Sequence, residues 1–79
     1  MNYYELSFTY SSPIENAIIN DILAAELGEI GFESFSENRN GLQGYIAESL
    51  YDAVVLQNKL DDFPLEGIKI QFTEAFIKD

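Results

Sequence analysis

A hairpin signal lies at the centre of this chain, between two helical patterns, and it constrains the fold more than any other feature of the sequence. Residues 38–41 read NRNG, and the Asn40–Gly41 pair is typical of a tight turn because both residues tolerate positive φ. The segments on either side, residues 32–37 and 42–47, have the composition of strands. The centre of the chain is therefore predicted to form two antiparallel strands.

Strand patterns also occupy both ends of the chain. The N-terminal segment YYELSFTY, residues 3–10, alternates in polarity and places Leu6 and Phe8 on one side. The C-terminal segment IKIQFTEAF alternates strictly, with Ile70 and Phe72 on its apolar side. Both segments are predicted to be strands with one buried face.

A helical pattern separates each terminal strand from the central hairpin. The segment SSPIE predicts the start of the first helix, with Ser12 as N-cap and Glu15 completing a capping box, and this helix should end near Gly28 or Gly31. The segment ESLYD predicts the second helix, with Ser49 as its cap. Apolar residues at helical spacing are expected to face the core: Ile14, Ile18, Ile22 and Ala25, with Ile19, Leu23 and Ile30 beside them, in the first helix, and Leu50, Val54, Leu56, Leu60 and Phe63 in the second.

The resulting element order, βαββαβ, restricts the topology. With right-handed crossovers and a central hairpin, the predicted fold class is α+β, a ferredoxin-like sandwich. Its four-stranded antiparallel sheet carries both helices on one face and has strands 1 and 3 in the middle. Residues 1–79 are expected to form a single domain, because a chain of 79 residues has no room for two cores.

The other face of the predicted sheet is left open, and strand alternation gives its members. They are Tyr3, Glu5, Ser7 and Thr9 from strand 1, Gln43, Tyr45 and Ala47 from strand 3, and Lys69, Gln71 and Thr73 from strand 4. Strand 2 permits two orientations, because each of its faces contains one phenylalanine. Since burying Glu33 and Glu37 would be costly, we expect Glu33, Phe35 and Glu37 to face outward.

The aromatic and acidic residues of this face are the candidate partner-binding residues: Tyr3, Glu5, Glu33, Phe35, Glu37 and Tyr45. Aromatic side chains act as anchors in contacts between proteins. Ordinary sheet packing, or cover by a neighbouring copy or domain, is the alternative interpretation of the same residues.

The composition excludes several kinds of function. The chain has no cysteine and no histidine, which removes thiol chemistry and the usual general base. Fourteen acidic and four basic residues give a net charge of −10, which repels nucleic acid and anionic membranes and attracts basic proteins. Neither a signal peptide nor a membrane span is expected, so the interpretation is a soluble, cytoplasmic protein without catalytic, cofactor-binding or metal-binding residues.

Four of the five glycines lie between residues 27 and 46, but their positions do not predict a phosphate site. A dinucleotide fingerprint lies between a strand and the following helix, whereas Gly28 and Gly31 end a helix before a strand. The acidic pair Glu26 and Glu29 lacks the spacing of a calcium loop and is interpreted as solvated surface. RNA binding is disfavoured, because the strand-3 segment NGLQGYIA has no lysine or arginine.

The segments LGEIGFESF, GLQGYI and SLYD together resemble the N-terminal domain of the methyltransferases that modify large-subunit ribosomal protein eleven (the PrmA family), in their Bacteroides-type form. The resemblance extends from Tyr3 to the last strand. It implies a ferredoxin-like domain that recognises the ribosomal protein substrate. It also implies a separate C-terminal domain that binds S-adenosylmethionine and methylates amino groups, which is expected to be absent because the chain ends at Asp79, about where the family's linker begins.

Two functional hypotheses follow. In the first, the chain is a substrate-recognition module, inactive by itself, that docks a basic ribosomal protein on its open sheet face. In the second, it is a stand-alone regulatory or oligomerisation module of the same fold, which binds a small ligand or another protein. An autonomous enzyme would need a nucleophile or a base that the sequence does not offer.

Overall fold

The computed structural model describes residues 1–78, and these form a four-stranded antiparallel sheet with two helices packed on one face. The elements in chain order are β1 (Tyr3–Ser11), α1 (Asn16–Gly28), β2 (Ser34–Asn38), β3 (Gly41–Ala47), α2 (Ala53–Asp61) and β4 (Lys69–Ile77). A short 3-10 turn, Glu48–Leu50, precedes α2. The strand order β2-β3-β1-β4 places β1 and β3 in the middle, so the predicted ferredoxin-like α+β fold is confirmed.

The core lies between the sheet and the two helices. Leu6 of β1 pairs with Gly44 of β3, and Phe8 pairs with Leu42, so these residues share the face that the helices cover. The buried cluster consists of Leu6, Phe8, Leu23, Leu27, Phe32, Leu42, Ile46, Leu56 and Leu60. Each large side chain of this kind stabilises the fold by about 1.5–3 kcal/mol relative to its exposure. The predicted apolar side of β1 is confirmed.

The helix α1 begins later than the sequence predicts. Its first residue is Asn16, and Glu15 at the N-cap makes no side-chain hydrogen bond to the helix end. The Ser12 Oγ accepts a hydrogen bond from the backbone N–H of Ile14 at 3.0 Å, which closes a local turn before the helix. The predicted Ser12 cap and its capping box are therefore wrong. The predicted end is confirmed, because Gly31 lies just beyond α1 with a φ of +108°.

Only one side of the predicted apolar stripe of α1 faces the core, so the prediction is confirmed for Ile19 and Leu23. Ile19, Leu23 and Leu27 are fully buried, whereas Ile18 is 50% exposed and Ala25 is exposed. The prediction for the core stripe is therefore wrong for the set Ile14, Ile18, Ile22 and Ala25, of which none is buried. Both stripes have helical spacing, and the helix is rotated so that the stripe beginning at Ile19 contacts the sheet.

The helix α2 also begins later than predicted, because an aspartate provides its cap. The Asp52 carboxylate accepts hydrogen bonds from the backbone N–H groups of Val54 at 2.9 Å and Val55 at 3.3 Å. A charged carboxylate is a stronger acceptor at a helix N-terminus than a hydroxyl, and the predicted cap, Ser49, lies in the 3-10 turn. The prediction of a Ser49 cap is wrong. Five residues were predicted to face the core. Leu56 and Leu60 are buried and Phe63 is partly buried against the core cluster, whereas Leu50 and Val54 are exposed.

The central hairpin forms as predicted, but with a different turn. Arg39 and Asn40 form the loop, and no residue other than glycine has a positive φ within residues 1–78. The Asn38 Oδ1 accepts hydrogen bonds from the backbone N–H groups of Asn40 and Gly41, both at 2.9 Å. This Asx turn satisfies the loop backbone without a left-handed residue, so the predicted left-handed Asn40–Gly41 turn is wrong.

Candidate functional site

The open face is the side of the sheet away from the helices. Strand pairing arranges it in rows, of which one consists of Ser34, Tyr45, Glu5 and Ala75, and the next of Ala47, Tyr3 and Ile77. The residues predicted on this face from β1, β3 and β4 all lie on it: Tyr3, Glu5, Ser7, Thr9, Gln43, Tyr45, Ala47, Lys69, Gln71 and Thr73. That part of the prediction is confirmed.

The edge strand β2 has the orientation opposite to the predicted one. Phe35 pairs with Gly44, so it lies on the helix-covered face, where its ring stacks on Phe32 at a centroid distance of 6.3 Å. A Cβ atom at Gly44 would lie 2.9 Å from Phe32 Cδ2 and 3.2 Å from Phe35 Cε1, so the glycine makes room for both rings. The prediction that Phe35 faces outward is wrong, and Ser34 and Ser36 take that side.

Glu37 also lies on the helix-covered face, because it pairs with Leu42. Its Oε1 accepts a hydrogen bond from Asn20 Nδ2 of α1 at 3.1 Å, and the Asn20 Oδ1 in turn accepts one from the Tyr10 hydroxyl. Because β2 is an edge strand, the Glu37 side chain stays exposed beside the helix and avoids the cost of burial. The outward prediction for Glu37 is therefore wrong.

The hydrogen-bonded Tyr10 makes stability sensitive to alkaline pH. Burial, and to a smaller extent the Glu37 carboxylate, raises the pKa of Tyr10 to about 12. The neutral phenol is therefore favoured in the folded state, and its stabilising effect is complete below about pH 10, the pKa of an unfolded tyrosine, and is lost as the pH rises toward 12. In urea titrations, we expect the free energy of unfolding to fall less between pH 10 and 12 in Tyr10→Phe than in the wild type.

Tyr45, Tyr51 and Lys59 also have a raised pKa, and each is present in both proteins of that comparison. Their contributions therefore cancel when the two pH profiles are subtracted. Parallel profiles for Tyr10→Phe and the wild type would contradict the assignment to Tyr10.

A hydrogen bond joins the two central strands on the open face. The Tyr45 hydroxyl donates to Glu5 Oε2 at 2.7 Å, and this bond is the main cause of the raised pKa of Tyr45. Because a phenol is neutral, the bond holds the ring in position without placing a positive charge beside the Glu5 carboxylate.

A shallow cavity of about 270 Å³ lies on this face beside Tyr45. Its lining residues are Tyr3, Glu33, Ser34, Tyr45 and Ile77. The structure therefore brings Tyr3, Glu33 and Tyr45 together, with Glu5 joined to the group through the Tyr45 hydroxyl. Phe35 and Glu37, the other two predicted residues, lie on the opposite face, and the partner-binding role of the remaining four stays a prediction.

Sequence reasoning missed two residues of this cavity, Ser34 and Ile77. Ser34 was excluded by the wrong orientation of β2. Ile77 continues the alternation that places Gln71 and Thr73 on the open face, so extending the β4 pattern to its end would have found it.

A second cavity, of about 240 Å³, lies at the other end of the sheet, where Thr9, Ser11 and Lys69 are among its lining residues. Lys69 pairs with Ser11, so it is about 26 Å from Tyr3 at about 3.3 Å per residue along β1. The open face therefore has an aromatic, acidic end and a polar end with a lysine.

A lysine of α2 holds an acidic pair at the end of α1, where Glu26 lies in the last turn and Glu29 just beyond it. Lys59 Nζ lies 2.6 Å from a Glu29 oxygen and 3.5 Å from a Glu26 oxygen, so the pair links the two helices. In the described part of the chain, acidic side chains do not assemble into a group of three or more suited to a metal ion. Neither described helix has the length and apolar character of a membrane span.

The amino-acid sequence is similar to part of several known proteins. The chain is 43% identical over 79 residues to the ribosomal protein L11 methyltransferase of Bacteroides fragilis, of which it covers 28%. It is 42% identical over 79 residues to the protein of the same name from Bacteroides thetaiotaomicron, of which it also covers 28%. Over 73 residues, it is 42% identical to the one from Phocaeicola vulgatus, of which it covers 25%.

The similarity covers the whole chain but only the N-terminal part of these methyltransferases. The chain thus spans about a quarter of the length of the curated relatives that it matches. The resemblance to their N-terminal domain, predicted from the sequence, is confirmed. No protein-family model matches the chain, and no solved structure matches it significantly.

Proposed function

From its similarity to the N-terminal part of ribosomal protein L11 methyltransferases, we propose that the chain is the substrate-recognition domain of a ribosomal protein methyltransferase. In this proposal, the domain acts in the cytoplasm and docks the basic ribosomal protein, L11, on its open face. A separate C-terminal domain binds S-adenosylmethionine and transfers the methyl group to lysine or N-terminal amines. The present chain contributes no catalytic residue.

The observation that carries this proposal is the aromatic, acidic end of the open face. Tyr3, Tyr45 and Glu33 line one cavity there, and Glu5 lies beside it. Aromatic side chains anchor protein contacts, and carboxylates recognise basic side chains. The arrangement therefore suits the surface of a basic protein.

The net charge of the chain supports the same partner. A charge of −10 on 79 residues attracts a basic protein over a distance and raises the association rate more than the affinity. The strong electrostatic component also makes binding dependent on salt, because ions screen charges beyond about 8–10 Å at physiological ionic strength.

We expect the isotope-labelled domain to bind ribosomal protein L11 with chemical-shift changes concentrated on the open face. Raising the salt concentration from 50 to 300 mM should weaken binding and raise the dissociation constant about tenfold, because screening removes the long-range attraction. Nuclear magnetic resonance and calorimetric titrations measure the two effects. Binding without shifts on the open face, or no binding at low salt, would contradict the proposal.

Two matched variants distinguish the effect of a charge on the open face from the effect of the net charge of the domain. Gln43→Arg places a positive charge on the open face, and Gln57→Arg places the same charge on the exposed side of α2. Like charges across an interface are strongly unfavourable, so Gln43→Arg should weaken L11 binding about tenfold and Gln57→Arg about twofold at most. Equal effects of the two variants would show that binding depends only on net charge.

A second candidate function is oligomerisation through the edge strand β4. This strand is nine residues long and lies at the sheet edge, and Phe76 and Ile77 near its end are 48% and 41% exposed. An exposed edge strand can pair with a second copy. Light scattering tests this function, since an increase of mass with concentration would favour it over a monomeric recognition domain.

A further inference from the structure

The cavity beside Tyr45 has walls of a defined chemical kind. Two phenol rings, from Tyr3 and Tyr45, and the aliphatic side chain of Ile77 provide apolar surface, while Glu33 and Ser34 provide oxygen atoms. Tyr3 and Tyr45 lie in adjacent rows of the open face, on neighbouring strands. A volume of about 270 Å³ suits a single side chain of a partner rather than a helix or a strand.

The electrostatic environment of the cavity favours a cation. The Glu33 side chain is exposed at its edge, and the group that donates a hydrogen bond to Glu5 is the neutral Tyr45 hydroxyl rather than a cation. Lys59 is engaged with α1, and Lys69 lies at the other end of the sheet. Lys78 follows Ile77 directly and is exposed just beyond the end of β4.

Of the two basic side chains, arginine matches these walls better than lysine. Its planar guanidinium stacks on aromatic rings and forms paired hydrogen bonds with a carboxylate. The lysine ammonium is compact and strongly hydrated, so it uses the faces of two rings less well. Resting on the function proposed above, we propose that the cavity lined by Tyr3, Glu33 and Tyr45 receives one arginine side chain of the docked ribosomal protein.

The first experiment tests the cavity with a small probe. The labelled domain is titrated with the capped tripeptide Gly-Arg-Gly and with versions containing lysine or uncharged citrulline at the middle position. We expect saturable shifts of the Ser34 and Tyr45 amide signals with arginine, about fivefold weaker binding of the lysine peptide, and no saturable shift with citrulline. Equal binding of arginine and citrulline peptides, or preferred binding of lysine, would overturn the proposal.

The second experiment uses the ribosomal protein and two charge-neutralising variants. Glu33→Gln should weaken L11 binding about three- to fivefold, because it removes the carboxylate that faces the guanidinium. Glu66→Gln removes an equal charge from the exposed loop between α2 and β4 and should leave binding unchanged.

The outcomes distinguish the cavity from the recognition function. If L11 binds the wild type and Glu33→Gln equally, and the arginine peptide produces no shifts, the arginine site is wrong and the recognition function stands. If the arginine peptide binds but L11 does not, the chemistry of the cavity is supported and the proposed partner is wrong.

Discussion

Replacing Gly41 with alanine is expected to lower the free energy of unfolding by about 3 kcal/mol or more. Gly41 opens β3 and pairs with Thr9 of β1. A Cβ atom at this position would lie 2.1 Å from the backbone carbonyl oxygen of Phe8. Because that oxygen belongs to a central strand, relief requires the two strands to separate rather than a side chain to rotate.

This decrease would be a large part of the free energy of unfolding of the whole domain, which at about 0.05–0.15 kcal/mol per residue is about 4–12 kcal/mol. Gly28→Ala is the matched control, because a Cβ atom at Gly28 meets no other atom within 4 Å. It should leave stability unchanged or raise it by up to about 1 kcal/mol, since alanine restricts the unfolded chain. Urea denaturation of both variants measures the difference, and similar midpoints would contradict the close approach at Gly41.

The strands β1, β3 and β4 could be predicted from the sequence because apolar residues recur at alternate positions in each of them. The apolar side of each strand, such as Leu6 and Phe8 of β1, determines which side is buried. A shift of the strand pairing by one residue would move every side chain to the opposite face of the sheet. The βαββαβ order of elements then predicts the strand order, and the alternation of side chains predicts which residues of these three strands lie on the open face. The Tyr3, Glu5 and Tyr45 part of the candidate site was predictable for this reason.

The rotation of α1 was not predictable, because the helix has two apolar stripes. Ile18 and Ile22 have the same spacing as Ile19 and Leu23, and periodicity does not choose between them. The choice depends on contacts with distant residues: Asn20 hydrogen-bonds Glu37 of β2 and Tyr10 of β1. These contacts become visible only once the strands are assembled.

The sequence predicts the wrong orientation of β2 because the cost of burying a glutamate depends on whether its strand lies at the centre or at the edge of the sheet. Placing glutamates on a helix-covered face is costly in a central strand, but at an edge the carboxylate of Glu37 reaches solvent. Glu33 precedes the strand and lines the cavity of the open face, so it joins the site from the segment before β2 rather than by strand alternation. Which partner the site binds depends on chemistry outside the chain, and the sequence contributes to that question through family resemblance and net charge.

The same orientation of β2 makes Gly44→Val strongly destabilising, by about 2–3 kcal/mol, because the position is already crowded. A Cβ atom there would lie 2.9 Å from Phe32 Cδ2 and 3.2 Å from Phe35 Cε1, and a valine adds two further methyl groups between these rings. Gln43→Val is the matched control, since it introduces the same residue at the adjacent position of β3, on the open face. This control should change stability by less than about 1 kcal/mol.

A second substitution tests whether Phe35 causes the crowding. Phe35→Leu shortens the side chain opposite Gly44, so in the double variant the cost of Gly44→Val should fall by about 1 kcal/mol or more. Chemical denaturation of the four proteins of this cycle gives the coupling between the two positions. Had Phe35 faced outward, as its place beside two glutamates predicted, the two substitutions would lie on opposite faces of the sheet and their effects would add. Additive effects would therefore restore the outward orientation, and with it Phe35 as a residue of the docking face.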